Sequence, residues 1–253
     1  MNIYSTSQIA KIIGVHPNTV RMYEEWGLIQ KPERKENGYR IFEDIHIKQF
    51  QMARKALQIE VLQAGLRKRI INVIKLSAEY RFDEAIQLAE EYIEIAENEV
   101  LAAKEAVVLC QKLYVSSEDN DTFYKRAQAA KELGITIDTI RNWEMNGLLV
   151  AKRIANGYRV YDANDMNRLK IIRSLRCANY SLSAILRMLN KLEKKQYNKS
   201  EKDMLEILNN PDEDEDILLA CDRLIVSLEK AIENAQEVIV LLEEIKQLKK
   251  LKK

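Results

Sequence analysis

The chain has 253 residues, 40 of them Lys or Arg and 39 Asp or Glu, and 47% are hydrophobic. That composition excludes a disordered chain and provides for two modest domains with ordinary cores, while only 7 glycines and 3 prolines point to a mostly helical fold. The near-zero net charge conceals a segregation: residues 1–78 carry +6, 79–121 carry −9, 122–199 carry +10 and 200–253 carry −6.

Basic blocks suit a polyanion and acidic blocks do not, although chance segregation of solvated faces gives the same pattern. At the N-terminus no cationic stretch precedes an apolar run, so no signal peptide is expected. No stretch approaches the roughly 18–20 apolar residues that span a membrane, so no membrane partner is expected. Ser7 to Ile13 reads as a short helix with Ile9, Ile12 and Ile13 inward. Gly14 makes a tight turn, Pro17 opens a second helix to about Trp26, and Gly27 ends it. Two short helices joined by a Gly turn form a helix-turn-helix. Asn37-Gly38 then signals a two-residue hairpin in which both positions take positive φ, a basic wing with an aromatic tip. A further helix from Ile45 to Leu57 closes the domain.

The pattern then recurs. At an offset of 120, Gln8, Lys11, Gly14, Thr19, Arg21, Glu24 and Gly27 match Gln128, Lys131, Gly134, Thr139, Arg141, Glu144 and Gly147. After a one-residue slip, Asn37-Gly38-Tyr39-Arg40 matches Asn156-Gly157-Tyr158-Arg159, and Phe42 matches Tyr161. The second copy predicts helices over Gln128–Leu133, from an N-cap at Thr136, and over Asp165–Cys177.

Each copy precedes an acidic heptad segment. In Asp83 to Tyr114 the apolar rows are Ile86, Ile93, Val100, Val107 and Tyr114, with Ala89, Ala96, Ala103 and Cys110. In Asp216 to Lys249 they are Ile217, Leu224, Ala231, Val238 and Ile245, with Cys221, Leu228, Ala235 and Leu242. Such seams predict coiled-coil helices, each about 50 Å long. Ile225, Ile232 and Ile239 widen the last helix's apolar face, for packing on a DNA-binding domain or recruiting a second chain.

The fold class expected is therefore mainly α: two winged helix-turn-helix domains, each followed by a long helix, with the two long helices forming an antiparallel coiled coil. The domains run 1–78, 79–121 (first long helix and linker), 122–199 and 200–253 (short helix and second long helix).

Three cysteines make no disulfide framework, and no Cys-X-X-Cys or Cys/His cluster signals a metal, so no cofactor or metal is expected. In an antiparallel stem Cys110 would approach Cys221, either as a thiol pair able to hold a soft metal or switch with redox state, or as two small buried hydrophobes. No catalytic constellation is present and no enzyme activity is expected.

Thr19-Val20-Arg21-Met22-Tyr23-Glu24 with Gly27-Leu28 and Asn37-Gly38-Tyr39-Arg40 closely resembles the DNA-binding domain of MerR transcription regulators. Thr139-Ile140-Arg141-Asn142-Trp143-Glu144, Gly147-Leu148 and Asn156-Gly157-Tyr158-Arg159 resemble it again, so the likeness covers roughly 1–76 and 124–190. It implies double-stranded DNA as partner, RNA polymerase as a further one, and a cytoplasmic, nucleoid-associated protein. The candidate DNA-contacting residues are Asn18, Thr19, Arg21 and Tyr23 with Lys35, Asn37, Tyr39 and Arg40 on the wing. In the second copy they are Thr139, Arg141, Asn142 and Trp143 with Arg153, Tyr158 and Arg159.

Several positions have a second reading. Tyr23 and Trp143 are either contacts or core aromatics, and Arg21 and Arg141 either contacts or ion-pair partners. Glu24 and Glu144 are expected to hold local structure. Asn18 can bind adenine bidentately, whereas Asp138 accepts only from a base amino group and repels phosphate, so two non-identical half-sites are expected. MerR chains dimerise through the long helix; with both copies in one chain, a monomeric pseudo-dimer rather than a homodimer is the economical expectation. The function expected is a transcription regulator that distorts promoter DNA at a pseudo-palindromic or asymmetric operator. The alternative is a DNA-organising or recombination accessory protein with the same heads.

Overall fold

The computed structural model describes residues 2–59, 65–115, 122–153, 157–193, 200–211 and 223–250. In chain order the first elements are β1 (Ile3–Tyr4), α1 (Thr6–Ile13), α2 (Pro17–Glu25), β2 (Glu33–Arg34), β3 (Arg40–Glu43), α3 (Asp44–Ala56), α4 (Leu66–Ala78) and α5 (Phe82–Val115). There follow β4 (Tyr124–Lys125), α6 (Arg126–Leu133), α7 (Ile137–Met145), β5 (Lys152–Arg153), β6 (Arg159–Tyr161), α8 (Ala163–Cys177), α9 (Leu182–Glu193), α10 (Glu201–Asn209) and α11 (Leu224–Lys250). They form two compact units, one of residues 1–98 with 228–253 and one of residues 99–227.

In the first unit, α1 begins with a full capping box. Ser5 Oγ accepts from Gln8 N, and Ser5 N donates to Gln8 Oε1 at 2.8 Å. Gly14 ends the helix at φ 72°, in the left-handed region open to glycine. Pro17 stands at the start of α2, where its missing N–H costs nothing, and His16 Nδ1 accepts from Asn18 N. The core is Ile9, Ala10, Val20, Ile29, Phe42 and Phe50. Ile12, expected inward, is 50% exposed. Because α1 meets both α2 and α3, its buried line runs through Ile9 and Ala10 instead.

The wing is a hairpin of β2 and β3, and β1 pairs antiparallel with the other side of β3. Its turn differs from the expected two-residue form. Lys35 N donates to Tyr39 O and Gly38 N to Lys35 O, both at 2.8 Å, and only Gly38 has positive φ. This is a three-residue loop, a type I turn closed by a left-handed glycine, which also matches the twist of the strands.

Behind the wing, buried Gln49 on α3 accepts from Gln30 N and donates to Ser77 O, satisfying both ends of its amide. The ion pairs Lys48–Glu244 and Lys55–Glu237, both 2.7 Å, advance seven residues along α3 while retreating seven along α11. The two helices therefore run antiparallel, with α11 alongside α3. Lys246 pairs with Asp83, and Lys249 Nζ lies 3.7 Å from the centre of the Tyr80 ring. Ile232 and Ile239 are half-buried, and the expected rows of α11 from Leu224 to Ile245 are buried.

The second unit repeats the plan with a sheet ordered β4-β6-β5. Here Lys125 replaces the capping serine and only the return bond survives, Lys125 N to Gln128 Oε1. Thr136 caps α7 through Thr139 N, as its position predicts. Asp162 and Asp165 cap each other's backbone at the start of α8. Arg187 is buried on α9, where its guanidinium donates to the Ile207 and Leu208 carbonyls and so closes the end of α10.

Along α5 the buried line is Ala85, Ala89, Tyr92, Ala96, Val100, Ala103, Val107 and Cys110. Ile86 and Ile93, expected in it, are only half-buried. A straight helix drifts about 20° per heptad against a strict seven-residue repeat, which moves the line by one residue at its early end. Cys221, Asn156, Ile217 and the start of the second acidic segment lie outside the described residues.

Candidate nucleic-acid interface

In the first head, α2 shows solvent the face carrying Asn18, Arg21 and Met22, with Thr19 half-buried beside it. Arg21 Nη1 donates to Asn18 Oδ1 at 2.8 Å, a pair fully on the surface. The wing raises Tyr39 to 72% exposure. Between α2, the wing and the start of α1 lies an open cleft of about 850 Å³, lined by Ser5, Gln8, Arg21, Lys35, Asn37, Tyr39 and Arg40. It unites three cationic side chains with a helix N-terminus, and both attract anions.

Two expected contacts have other duties. Tyr23 stacks on Phe50 with ring centres 5.1 Å apart. Burial raises its phenol pKa, against a smaller opposing effect of Arg54. Arg40 Nε donates directly to Glu24, whose side chain is 7% exposed, and Arg34 stands 3.6 Å from the same carboxylate. Glu24 thus fastens the reading helix to the wing, as its local-structure reading implied.

The second head presents Asp138, Arg141, Asn142 and Met145 on α7. Arg141 Nη1 bonds Asp138 Oδ1 at 2.9 Å, so the neutral partner of the first head is replaced by a charged one. Trp143 is 5% exposed, so most of the indole packs in the core, and what remains lines a cleft with Asp138 and Asn142. Arg153 and Tyr158 are exposed on the wing, and Arg159 is half-buried.

Glu144 is held differently from Glu24. Arg126 Nη2 donates to one carboxylate oxygen at 2.6 Å and the Tyr161 hydroxyl to the other at 2.7 Å. Arg126 Nε also donates to the Tyr161 oxygen at 3.1 Å. Burial opposes the Arg126 charge, but Tyr161 and Glu144 outweigh it and its pKa is raised. Burial, then the Glu144 bond, push the Tyr161 hydroxyl up to about 12. Arg159 Nε stays 3.7 Å from Glu144, beyond hydrogen-bond reach.

Sequence reasoning passed over Ser5 and Gln8, which line the first cleft, and Arg126. A second cleft, of about 610 Å³, sets Asp138, Thr139 and Asn142 beside Arg173, Arg176 and Cys177, none of the last three expected as a contact, although Arg173 repeats Arg54. The Cys110 thiol is fully buried and donates to Ile171 O at 3.8 Å. Burial raises its pKa to about 12, as for a small hydrophobe rather than a reactive thiolate.

Among known proteins, the chain is similar to the HTH-type transcriptional regulator CueR of Escherichia coli O6:H1, 42% identical over 59 residues, 23% of this chain and 42% of that one. The HTH-type transcriptional regulator ZntR of Escherichia coli strain K12 is 35% identical over 68 residues, 26% of this chain and 48% of its own. A probable heavy metal-dependent transcriptional regulator of Haemophilus influenzae is 39% identical over 64 residues, 25% of this chain and 50% of its own. The chain thus spans half or less of the length of these relatives. No solved structure matches. Among the described residues no helix is long and apolar enough to cross a membrane. The family profile described as MerR HTH family regulatory protein matches residues 4–68 and again 124–192, more than half of the sequence, so the chain belongs to the MerR family and carries its domain twice.

Proposed function

We propose that the chain is a sequence-specific DNA-binding transcription regulator whose two unlike heads read the two halves of one asymmetric operator. The observation that carries this is the first head's cleft, where Arg21, Lys35 and Tyr39 from helix and wing face one space. Such a cleft suits a phosphodiester backbone, with the exposed side of the second helix in the major groove. Asn18, Thr19, Arg21, Lys35, Asn37 and Tyr39 make the contacts of the first head. Thr139, Arg141, Asn142, Arg153, Tyr158 and Arg159 make those of the second. Tyr23, Arg40 and Trp143 support them from behind.

The buried heptad rows of α5 and α11 support a stem in which the two helices pair antiparallel within one chain, so that a monomer does the work of a dimer. On a promoter, the two heads would distort the spacer presented to RNA polymerase. The test is binding of the full chain to a duplex selected from a random-sequence pool, with light scattering of the complex. One chain per duplex is expected, with affinity lost when either half-site is replaced by a second copy of the other. Indifference to both replacements, or two chains per duplex, would overturn the proposal.

A further inference from the structure

Both heads bury a glutamate at the same place on the reading helix, with side-chain exposures of 7% for Glu24 and 9% for Glu144. A carboxylate at that depth needs a hydrogen-bonded, charged partner. The first head has Thr6 and Phe42 at the positions where the second has Arg126 and Tyr161. Neither provides a charge, so Glu24 takes its donor from the wing, and Arg40 is drawn in until its side chain is 20% exposed. In the second head Arg126 and Tyr161 occupy both oxygens of Glu144. Arg159, the counterpart of Arg40, is left at 3.7 Å and 39% exposed.

We propose that Arg126 is a positioning residue: by taking over the buried glutamate it releases the wing arginine Arg159 onto a DNA phosphate, so that the second head neutralises one more backbone charge than the first. A guanidinium that gives its Nε to a buried carboxylate has its charge largely cancelled there and only its Nη donors left for the duplex. One without such a bond can present its fork of donors to a phosphate directly. The exchange of Thr6 for Arg126 and of Phe42 for Tyr161 is therefore a specificity device, one that shifts grip toward the second half-site.

The inference rests on the DNA-binding reading above, and its test separates the two. The readout is the slope of log affinity against log salt for the full chain on a duplex selected from a random-sequence pool, which counts phosphates neutralised at about 0.9 each. In the natural chain Arg159→Gln flattens the slope by about 0.9. With Arg126→Thr and Tyr161→Phe also present, Arg159 falls back onto Glu144, and the same substitution changes the slope little. Arg126→Lys, which keeps a cation on Glu144, restores the effect of Arg159→Gln. In the first head Thr6→Arg with Phe42→Tyr frees Arg40 and steepens the slope by about 0.9.

An equal effect of Arg159→Gln in both backgrounds, with binding otherwise intact, overturns this inference and leaves the DNA-binding reading standing. Absence of binding to any duplex overturns both. Should the second-head background fail to fold, the first-head gain decides, and an unchanged slope there overturns the inference.

Discussion

The two heads share their buried frame and differ at the surface. Both have left-handed glycines at the helix-turn-helix turn, Gly14 and Gly134, and after the reading helix, Gly27 and Gly147. Both place a glutamate under the wing. Around that frame some neighbours have changed, although Arg34 and Arg40 keep arginine counterparts in Arg153 and Arg159. Asn18 faces Asp138, and Thr6 faces Arg126. At the strand ends, Glu33 and Glu43 of the first head stand where Lys152 and Asp162 form a 2.6 Å pair in the second. Positions that must fill space or take a special φ tolerate little, while exposed positions change at small energetic cost. Two domains tied in one chain can thus keep one fold and acquire two specificities.

That comparison can be broken most sharply at the aromatic of the reading helix. Trp143→Ala should destabilise the second head by about 3–5 kcal/mol, and Tyr23→Ala, at a half-exposed site, should cost about 1–2 kcal/mol in the first, read by denaturant unfolding of the full chain. Equal losses would mean that Trp143 is not the deeper anchor. Next come the glutamates. Glu144→Ala strands Arg126 and the Tyr161 hydroxyl and should cost about 3 kcal/mol. Glu24→Ala should cost about half that, because it strands Arg40 without a buried hydroxyl beside it and Arg34, 46% exposed, can turn to solvent.

Alkaline pH sharpens the difference further. The Tyr161 hydroxyl titrates at about 12 in the folded chain against an ordinary 10.0. Its contribution is whole below about pH 10 and is lost as pH rises toward 12. Tyr161→Phe should therefore reduce the fall in melting temperature between pH 9 and pH 11; the first head, with Phe42 there, has no such group. A melting curve equally alkali-sensitive with and without the hydroxyl would remove Tyr161 from the network. The smallest effect belongs to the surface. Asp138→Ala breaks the Arg141 pair, but with side chains 84% and 58% exposed it should move stability by no more than about 0.5 kcal/mol.

Much of this architecture was legible in the sequence, because its signals were local. Pro17 and Thr136 marked helix starts, and glycines marked ends. The repeat at 120 then made each reading of one head a check on the other. β1 was not legible: two residues hold no periodicity, and only pairing with β3 defines the strand. Ile12 misled because a helix with two neighbours buries Ala10 on the line between them. Trp143 left two readings open, since an aromatic beside a glutamate suits a contact or a core, and only burial separates them. Arg126 had a signal that passed unused: Thr6 and Phe42 change together, into the two residues that meet on Glu144.

The covering of α3 by α11 bears on how the molecule is made. The unit built on residues 1–98 is completed by residues 228–253, so roughly 130 residues of the other unit are synthesised in between. At about 5–20 residues per second that is a wait of roughly 7–25 s. During that time the α3 surface carrying Lys48 and Lys55 lacks its partner helix. The later unit, contiguous in sequence, can close before the earlier one. Order of synthesis and order of completion can therefore differ in this chain: the unit begun first waits for the helix made last.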